Sequence, residues 1–113
     1  MTKREGYQLK FERFVDSGNV HYWCEHLGNS EEYKLYASFL RHIDFELCSH
    51  IIQEIENAQN GQYFEQYQGP DSLVDEETIE ITPPNIVLSN GQWTVLMSDF
   101  KELLEEWRSH LSN

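Results

Sequence analysis

Basic residues are absent from the middle of this chain, since residues 42 to 100 contain no lysine or arginine. The same segment holds eleven acidic residues and therefore eleven of the twelve net negative charges, because residues 1 to 41 balance and residues 101 to 113 add a single negative charge. A protein of this charge repels nucleic acid and anionic membranes, which are themselves negative. We therefore expect no nucleic acid and no membrane as a partner, and a basic partner instead.

Long apolar runs and cysteines are also scarce. No segment approaches the roughly 20 apolar residues of a membrane-spanning helix, and residues 1 to 5 do not begin a signal peptide, so we expect a cytoplasmic protein. Cys24 and Cys48 are too few for a disulfide framework and should be reduced. The 113 residues are 39% apolar and 13% aromatic, which predicts one folded acidic domain over residues 1–113.

The N-terminal quarter has the pattern of a β-hairpin. Apolar and polar residues alternate from residue 7 to 12 and again from residue 20 to 24. Turn-forming residues 16 to 19 separate the two alternating stretches. This arrangement is typical of two antiparallel strands joined by a tight turn.

One apolar stripe at helical spacing follows the hairpin. Ser30 is its expected N-cap, with two glutamates next in the chain to favour the positive end of the helix dipole. Asp44 is a second candidate cap, so the pattern allows either one long helix or a pair of helices. The stripe consists of Tyr36, Leu40, Ile43, Leu47, Ile51 and Ile55.

The C-terminal third predicts a β-meander and a helix. Pro83 and Pro84 interrupt one alternating stretch, and Asn90-Gly91 is a strong hairpin turn. Ser98 or Asp99 is the expected cap of the last helix, whose apolar face contains Phe100, Leu103, Leu104, Trp107 and Leu111. The whole order predicts an α+β fold with an N-terminal β-hairpin, a central helix or helix pair, a β-meander and a C-terminal helix, the helices lying on one face of a mainly antiparallel sheet.

Two Cys-x-His pairs raise the question of a zinc site. Cys24 and His26 would share a face on a strand, but Cys48 and His50 on a helix are rotated by about 200° and point apart. We therefore expect no metal site, with Cys48 buried and His50 on the surface. A third hypothesis is a hydrolase that uses either cysteine together with a histidine. Neither cysteine, however, lies in a recognisable nucleophile motif. We expect no catalytic residue, no cofactor and no enzymatic activity.

The acidic middle segment is the strongest candidate for a binding surface. Its carboxylates would meet lysine and arginine on a partner, while neighbouring aromatic and leucine side chains would supply the desolvated anchors. The competing interpretation is that the charge only maintains solubility, and a contiguous acidic face would favour binding over it. The predicted contact residues are Tyr63, Tyr67, Asp71, Leu73, Asp75, Glu76, Glu77 and Glu80.

The end of the chain resembles a known class of proteins. The strands from Thr78 to Met97, followed by SDFKELLEEW from Ser98 to Trp107, are similar to the closing strands and helix of small bacterial immunity proteins. Such proteins bind and neutralise the toxic domains, often nucleases, of polymorphic or contact-dependent growth inhibition toxins in the cytoplasm. The resemblance implies a cognate toxin domain as the basic partner and assigns no contact residue.

A different function fits the same charge distribution. A small acidic regulatory adaptor could dock on a basic surface of a larger enzyme or transcription complex. The two hypotheses differ in the expected gene neighbourhood, because only the immunity protein should be encoded beside a toxin. The sequence leaves the oligomeric state open.

Overall fold

The computed structural model of the chain describes residues 2–65, 79–88 and 93–112. The predicted α+β class is confirmed, and every strand pairing in these residues is antiparallel. The strands form two separate sheets, one of two strands and one of three. In chain order the elements are α1 (Lys3–Gly6), β1 (Leu9–Asp16), β2 (Asn19–His26), α2 (Glu31–Arg41), α3 (Phe45–Gln59), β3 (Ile79–Thr82), β4 (Asn85–Leu88), β5 (Trp93–Leu96) and α4 (Met97–Leu111).

The N-terminal hairpin is closed by a two-residue turn. Asp16 pairs with Asn19, which leaves Ser17 and Gly18 between the strands with φ of 53° and 84°. Two successive positive φ angles are the mark of a type I′ turn, whose twist matches that of the strands. Every residue from 13 to 21 is exposed, so the hairpin extends beyond the core that its other half covers.

The middle of the chain forms two helices instead of one. The Ser30 hydroxyl accepts a hydrogen bond from the Tyr33 amide at 3.2 Å, as expected for the cap of α2. The Asp44 carboxylate accepts one from the Leu47 amide at 2.8 Å and begins α3. Of the two arrangements that the sequence allowed, the helix pair is confirmed.

The three-stranded sheet has the order β3-β4-β5 and presents one face to the core. A cis peptide bond between Pro83 and Pro84 lies in the tight connection between β3 and β4, where the sequence predicted a break. The predicted Asn90-Gly91 turn lies outside the described residues. The buried face of the sheet consists of Ile79, Ile81, Ile86, Leu88 and Val95.

The C-terminal helix α4 closes the core against α3. The Trp107 indole N–H donates to the Ile43 carbonyl at 2.9 Å, and the Cys48 thiol donates to the Leu104 carbonyl at 3.0 Å. Phe100 and Leu104 are also buried on this side. Buried residues from both sheets and from all three long helices belong to one hydrophobic core. No helix within the described ranges has the length and apolar character needed to cross a membrane.

The predicted cap of the last helix is wrong. Helix α4 begins at Met97, and Leu96 occupies the N-cap position without a side-chain hydrogen bond. Strand β5 runs directly into the helix, and the Met97 amide donates to the Pro84 carbonyl at 3.0 Å. Asp99 instead forms an ion pair with Lys3 at 3.0 Å. The short helix α1 that carries Lys3 was not predicted.

Replacing Asp44 with alanine should lower the free energy of unfolding by about 1 kcal/mol, because the Leu47 amide loses its acceptor. Asp44→Asn keeps a side-chain oxygen at this position and serves as the matched control, with a much smaller loss. Urea denaturation of the two variants and the wild type provides the measurement. An alanine variant as stable as the wild type would contradict the capping role.

Candidate functional site

Two of the eight predicted contact residues lie in the described part of the chain. Tyr63 has 83% of its surface exposed, just beyond the end of α3. Glu80 is exposed on the face of β3 that points away from the core. These two residues are available to a partner, and their role in binding stays a prediction. Tyr67, Asp71, Leu73, Asp75, Glu76 and Glu77 lie outside the described residues.

The basic side chains are largely engaged within the chain itself. Each of the four lysines has a carboxylate within 4 Å, and three of the four arginines contact an aromatic ring or a polar group. Ion pairs at a surface contribute little stability, but they reduce the positive charge that a partner encounters. The pairs are Lys3–Asp99 at 3.0 Å, Lys10–Glu12 at 3.6 Å, Lys34–Glu31 at 3.9 Å and Lys101–Glu56 at 3.9 Å, and the arginine contacts are Arg4 over Phe11, Arg41 over Trp23 and Arg108 to Ser49.

Three exposed carboxylates on α3 and α4 make no ion pair with another described residue. They are Glu46, Glu102 and Glu105, which we call the acidic helical face. The start of α3 packs beside the end of α4, since Arg108 reaches Ser49 at 3.4 Å. Glu46 and Glu105 are each one helical turn from that contact, on the same side of their helices. Glu46 and Glu105 therefore lie on either side of the Arg108–Ser49 contact, and Glu102 lies three residues before Glu105, towards the start of α4.

A cleft of about 250 Å³ opens at the end of the molecule where the hairpin tip meets the corner between α2 and α3. Val20 lines one side of it, and its strand partner Val15 has 61% of its surface exposed. Asp44, the cap of α3, contributes a carboxylate to the lining, and Arg41, His21 and His42 contribute a guanidinium and two imidazoles. Sequence reasoning assigned Val20 only to a strand. The signal in the sequence was a valine near each side of the turn, Val15 and Val20, where a solvated hairpin end has polar residues.

A second cleft of about 340 Å³ lies beside the end of α3 and the Pro83–Pro84 turn. Among the residues that the structure describes, its lining contains no ionisable side chain. The residues around it are Ala58, Gln59, Pro83, Pro84, Leu96, Met97 and Ser98.

Both cysteines are part of the core. Cys24 and Cys48 have no exposed surface, and burial raises the pKa of each thiol to about 12. A nucleophilic cysteine needs an accessible sulfur with a lowered pKa, and neither sulfur meets either condition in this structure. His50 is exposed while Cys48 is buried, as the helical spacing predicted. Among the residues that the structure describes, no three histidine, cysteine or acidic side chains are placed to hold a metal ion.

The imidazole of His26 joins the hairpin to the start of α2. Its Nδ1 lies 3.1 Å from the Tyr7 carbonyl oxygen and 3.2 Å from that of Gln8, while its Nε2 lies 3.1 Å from the Ser30 amide nitrogen. Because the Ser30 amide donates to Nε2, Nδ1 is the ring nitrogen that donates to the carbonyl oxygens of Tyr7 and Gln8. Both ring nitrogens are thus used by the backbone, and this histidine is a structural link between elements.

Comparison of the chain with protein-family models, with curated proteins and with solved structures found no match. No function is transferred by similarity. A functional proposal for this protein therefore depends on the charge and surface geometry described above.

The buried thiols predict that stability falls at alkaline pH. Thiols in the unfolded chain lose their protons from about pH 9, whereas Cys24 and Cys48 keep theirs to about pH 12, so the unfolded state binds fewer protons in this window. The free energy of unfolding should fall by roughly 1 kcal/mol per thiol for each pH unit above 9. Urea denaturation at pH 7.5 and pH 10 measures the loss.

The control for this prediction is the double variant Cys24→Ala/Cys48→Ala, whose stability should depend less steeply on pH over the same range. Tyr7, whose pKa is raised to about 12 by burial and by Asp99, contributes a decline that both proteins share. Equal pH dependence of the two proteins would contradict the prediction, as would rapid iodoacetamide labelling of the native wild type at pH 8.

Proposed function

We propose that this protein binds a basic protein domain in the cytoplasm and neutralises it by forming a tight complex, and that this partner is a cognate toxin domain of the nuclease class. One observation carries the proposal. The described residues include all eight lysines and arginines and sixteen of the twenty acids, and seven of the eight basic side chains are engaged within the chain. The charge left to meet a partner is negative.

A nuclease is a suitable partner for such a surface. Its active site must attract a polyanion, so it carries lysine and arginine around the substrate groove. An acidic protein that covers the groove competes with the substrate and is also steered to the right place by the same field. Inhibition in this way needs affinity and shape, and it needs no catalytic group in the inhibitor.

The acidic helical face is the described surface that supports this mode of binding. Glu46, Glu102 and Glu105 lie on the exposed sides of two helices that are packed together, so their backbone positions change little on binding. Charges that serve only solubility can be scattered over the surface with equal effect. Asp71, Asp75, Glu76 and Glu77 lie outside the described residues and remain predicted contact residues.

Co-expression with the neighbouring toxin gene tests the proposal. The product of the gene immediately upstream should arrest growth when expressed alone, and this protein should restore growth and form a complex that salt weakens. An upstream product that is not toxic, or a toxic one that this protein neither binds nor neutralises, would contradict the proposal. Binding to a basic but non-toxic enzyme would support the adaptor hypothesis instead.

Neutralising the acidic helical face should weaken the complex. The triple variant Glu46→Gln/Glu102→Gln/Glu105→Gln should raise the dissociation constant about tenfold at low salt, mainly through slower association, because exposed charges contribute roughly 0.5 kcal/mol each. It should also reduce the slope of log Kd against log salt. Surface plasmon resonance over a series of salt concentrations measures both effects.

The matched control removes the same amount of charge from a different surface. Glu12→Gln/Glu25→Gln/Glu31→Gln changes the hairpin and α2 while leaving the acidic helical face intact. Its association rate should fall less than that of the first triple variant. Equal effects of the two would show that only net charge matters and that the acidic helical face is not the contact surface.

A further inference from the structure

The backbone of β1 has a row of polar groups that point away from β2. In an antiparallel ladder the N–H and C=O groups of alternate residues bond to the partner strand, and those of the residues between them point outward. The Leu27 amide donates to the Gln8 carbonyl at 2.8 Å, so the even-numbered residues of β1 are the ones that bond to β2. The outward groups in the second half of the strand therefore belong to Phe11, Arg13 and Val15, and we call them the open edge.

The two outer edges of the hairpin differ in what covers them. On the β2 side, the Arg41 guanidinium donates to the outward carbonyl of Cys24 at 3.3 Å and lies over the Trp23 ring at 4.4 Å. On the β1 side, no N–H or C=O group of the open edge forms a hydrogen bond with any residue that the structure describes. Arg13 and Val15 are both exposed. An uncovered edge of this kind is a template for a further strand.

Arg13 lies at the centre of the open edge. It is the one lysine or arginine that makes no ion pair, ring contact or hydrogen bond with a described residue. A strand added to the edge would place a side chain directly opposite Arg13 on the same face, and opposite charges in such a pair are stabilising. Phe11 and Val15 lie two residues away on that face and suit apolar neighbours. The edge thus fits an extended segment with an acidic residue between apolar ones.

We propose that an extended segment of the partner adds to the open edge as a third strand, with an acidic side chain opposite Arg13. This inference rests on the proposed function and adds how the complex is held. The backbone groups of Phe11, Arg13 and Val15 bond to the segment, and the side chain of Arg13 selects its sequence. A single carboxylate in one strand is compatible with a partner that is basic as a whole.

A second copy of the chain is a poorer occupant of the open edge. Symmetric pairing of β1 with its own copy is antiparallel, and the register that engages all three outward residues puts Arg13 opposite Arg13 of the other copy. Registers shifted by two residues put Glu12 opposite its own copy or opposite Asp16. Like charges directly opposite each other are destabilising. A separate segment with a carboxylate beside Arg13 avoids this repulsion.

The variant Val15→Pro tests the open edge with the product of the upstream gene as the binding probe. Proline removes an outward amide that the hairpin does not use, so the ladder with β2 is retained while the added strand loses a hydrogen bond and meets the proline ring. The dissociation constant should rise about tenfold or more. The matched control is Val20→Pro, which changes the cross-strand partner of Val15 at the outer edge of β2, and its dissociation constant should stay within about threefold of the wild type.

The variant Arg13→Gln gives results of opposite sign for strand addition and for long-range charge. Removal of a cation increases the attraction between this protein and a basic partner, so long-range charge alone predicts tighter binding. Loss of the pair with an acidic side chain predicts a dissociation constant raised about threefold, through faster dissociation. Arg13→Lys keeps the charge and should bind more tightly than Arg13→Gln. Surface plasmon resonance measures both rates.

Amide hydrogen exchange of the wild-type protein tests the same edge without a substitution. The amides of Phe11, Arg13 and Val15 should exchange quickly in the free protein and slowly in the complex, because the added strand accepts their hydrogen bonds. The amides of Glu12 and Phe14 bond to β2 and should be protected in both states. NMR spectra recorded after transfer to heavy water measure the rates residue by residue.

The outcomes separate the added strand from the function itself. A wild-type complex in which the three outward amides stay unprotected would overturn the added strand and leave the proposed function standing, as would tighter binding by Arg13→Gln. No binding by the wild type would overturn both. Protection of these amides in a dimer of the protein alone would assign the edge to a second copy and overturn the inference. If a proline variant loses the hairpin in thermal unfolding and NMR spectra, the exchange rates of the wild type decide.

Discussion

The packing of α4 against the rest of the molecule is the interaction on which the structure depends. Trp107 illustrates it, because its indole donates to the carbonyl of Ile43 between the two central helices, while its ring lies edge-on to Phe11 of the hairpin at 5.0 Å. Further along the helix, His110 lies 2.9 Å from the backbone carbonyl oxygen of Glu12. The last helix thus contacts elements from the beginning and the middle of the chain. Within the described ranges the two sheets do not pair with each other, and this helix connects them through the core.

The cleft and the acidic helical face both follow from that packing. Antiparallel placement of α3 and α4 brings the start of α3, with Glu46, beside the C-terminal half of α4, while Glu102 lies opposite the end of α3. The same arrangement puts Trp107 and Leu111 beside Val20 and Tyr22 of β2, where they form part of the cleft lining. The cleft and the acidic helical face therefore arise where the closing helix meets earlier elements, and the buried side of that helix holds them in place.

Much of the fold could be predicted from the sequence because the spacing of apolar residues indicates directly which side chains are buried. The stripe from Tyr36 to Ile55 and the face of α4 depend only on helical geometry, so their prediction needed no tertiary information. The choice between one helix and two depended on whether Asp44 caps a helix, which spacing alone does not reveal. The cap of α4 was misassigned because a backbone carbonyl from the neighbouring turn satisfies the Met97 amide, a contact between residues distant in sequence. Long-range contacts of this kind also decide that the strands form two sheets.

The candidate sites were less accessible to sequence reasoning. The composition of the sequence identified the acidic segment. The positions of Lys3 and Lys101 in the folded protein, however, decide which carboxylates remain without an ion pair. The cleft was missed for the same reason, since Val20 and Leu111 are far apart along the chain and meet only after folding.

The protruding hairpin has a consequence for how such a protein changes over evolutionary time. Residues 13 to 21 make up a tip that lies outside the core, so substitutions there remove few buried contacts. Variation in this segment can change the exposed surface while the closing helix and the core preserve the fold. Surface chemistry and stability can thus change in separate parts of one small chain.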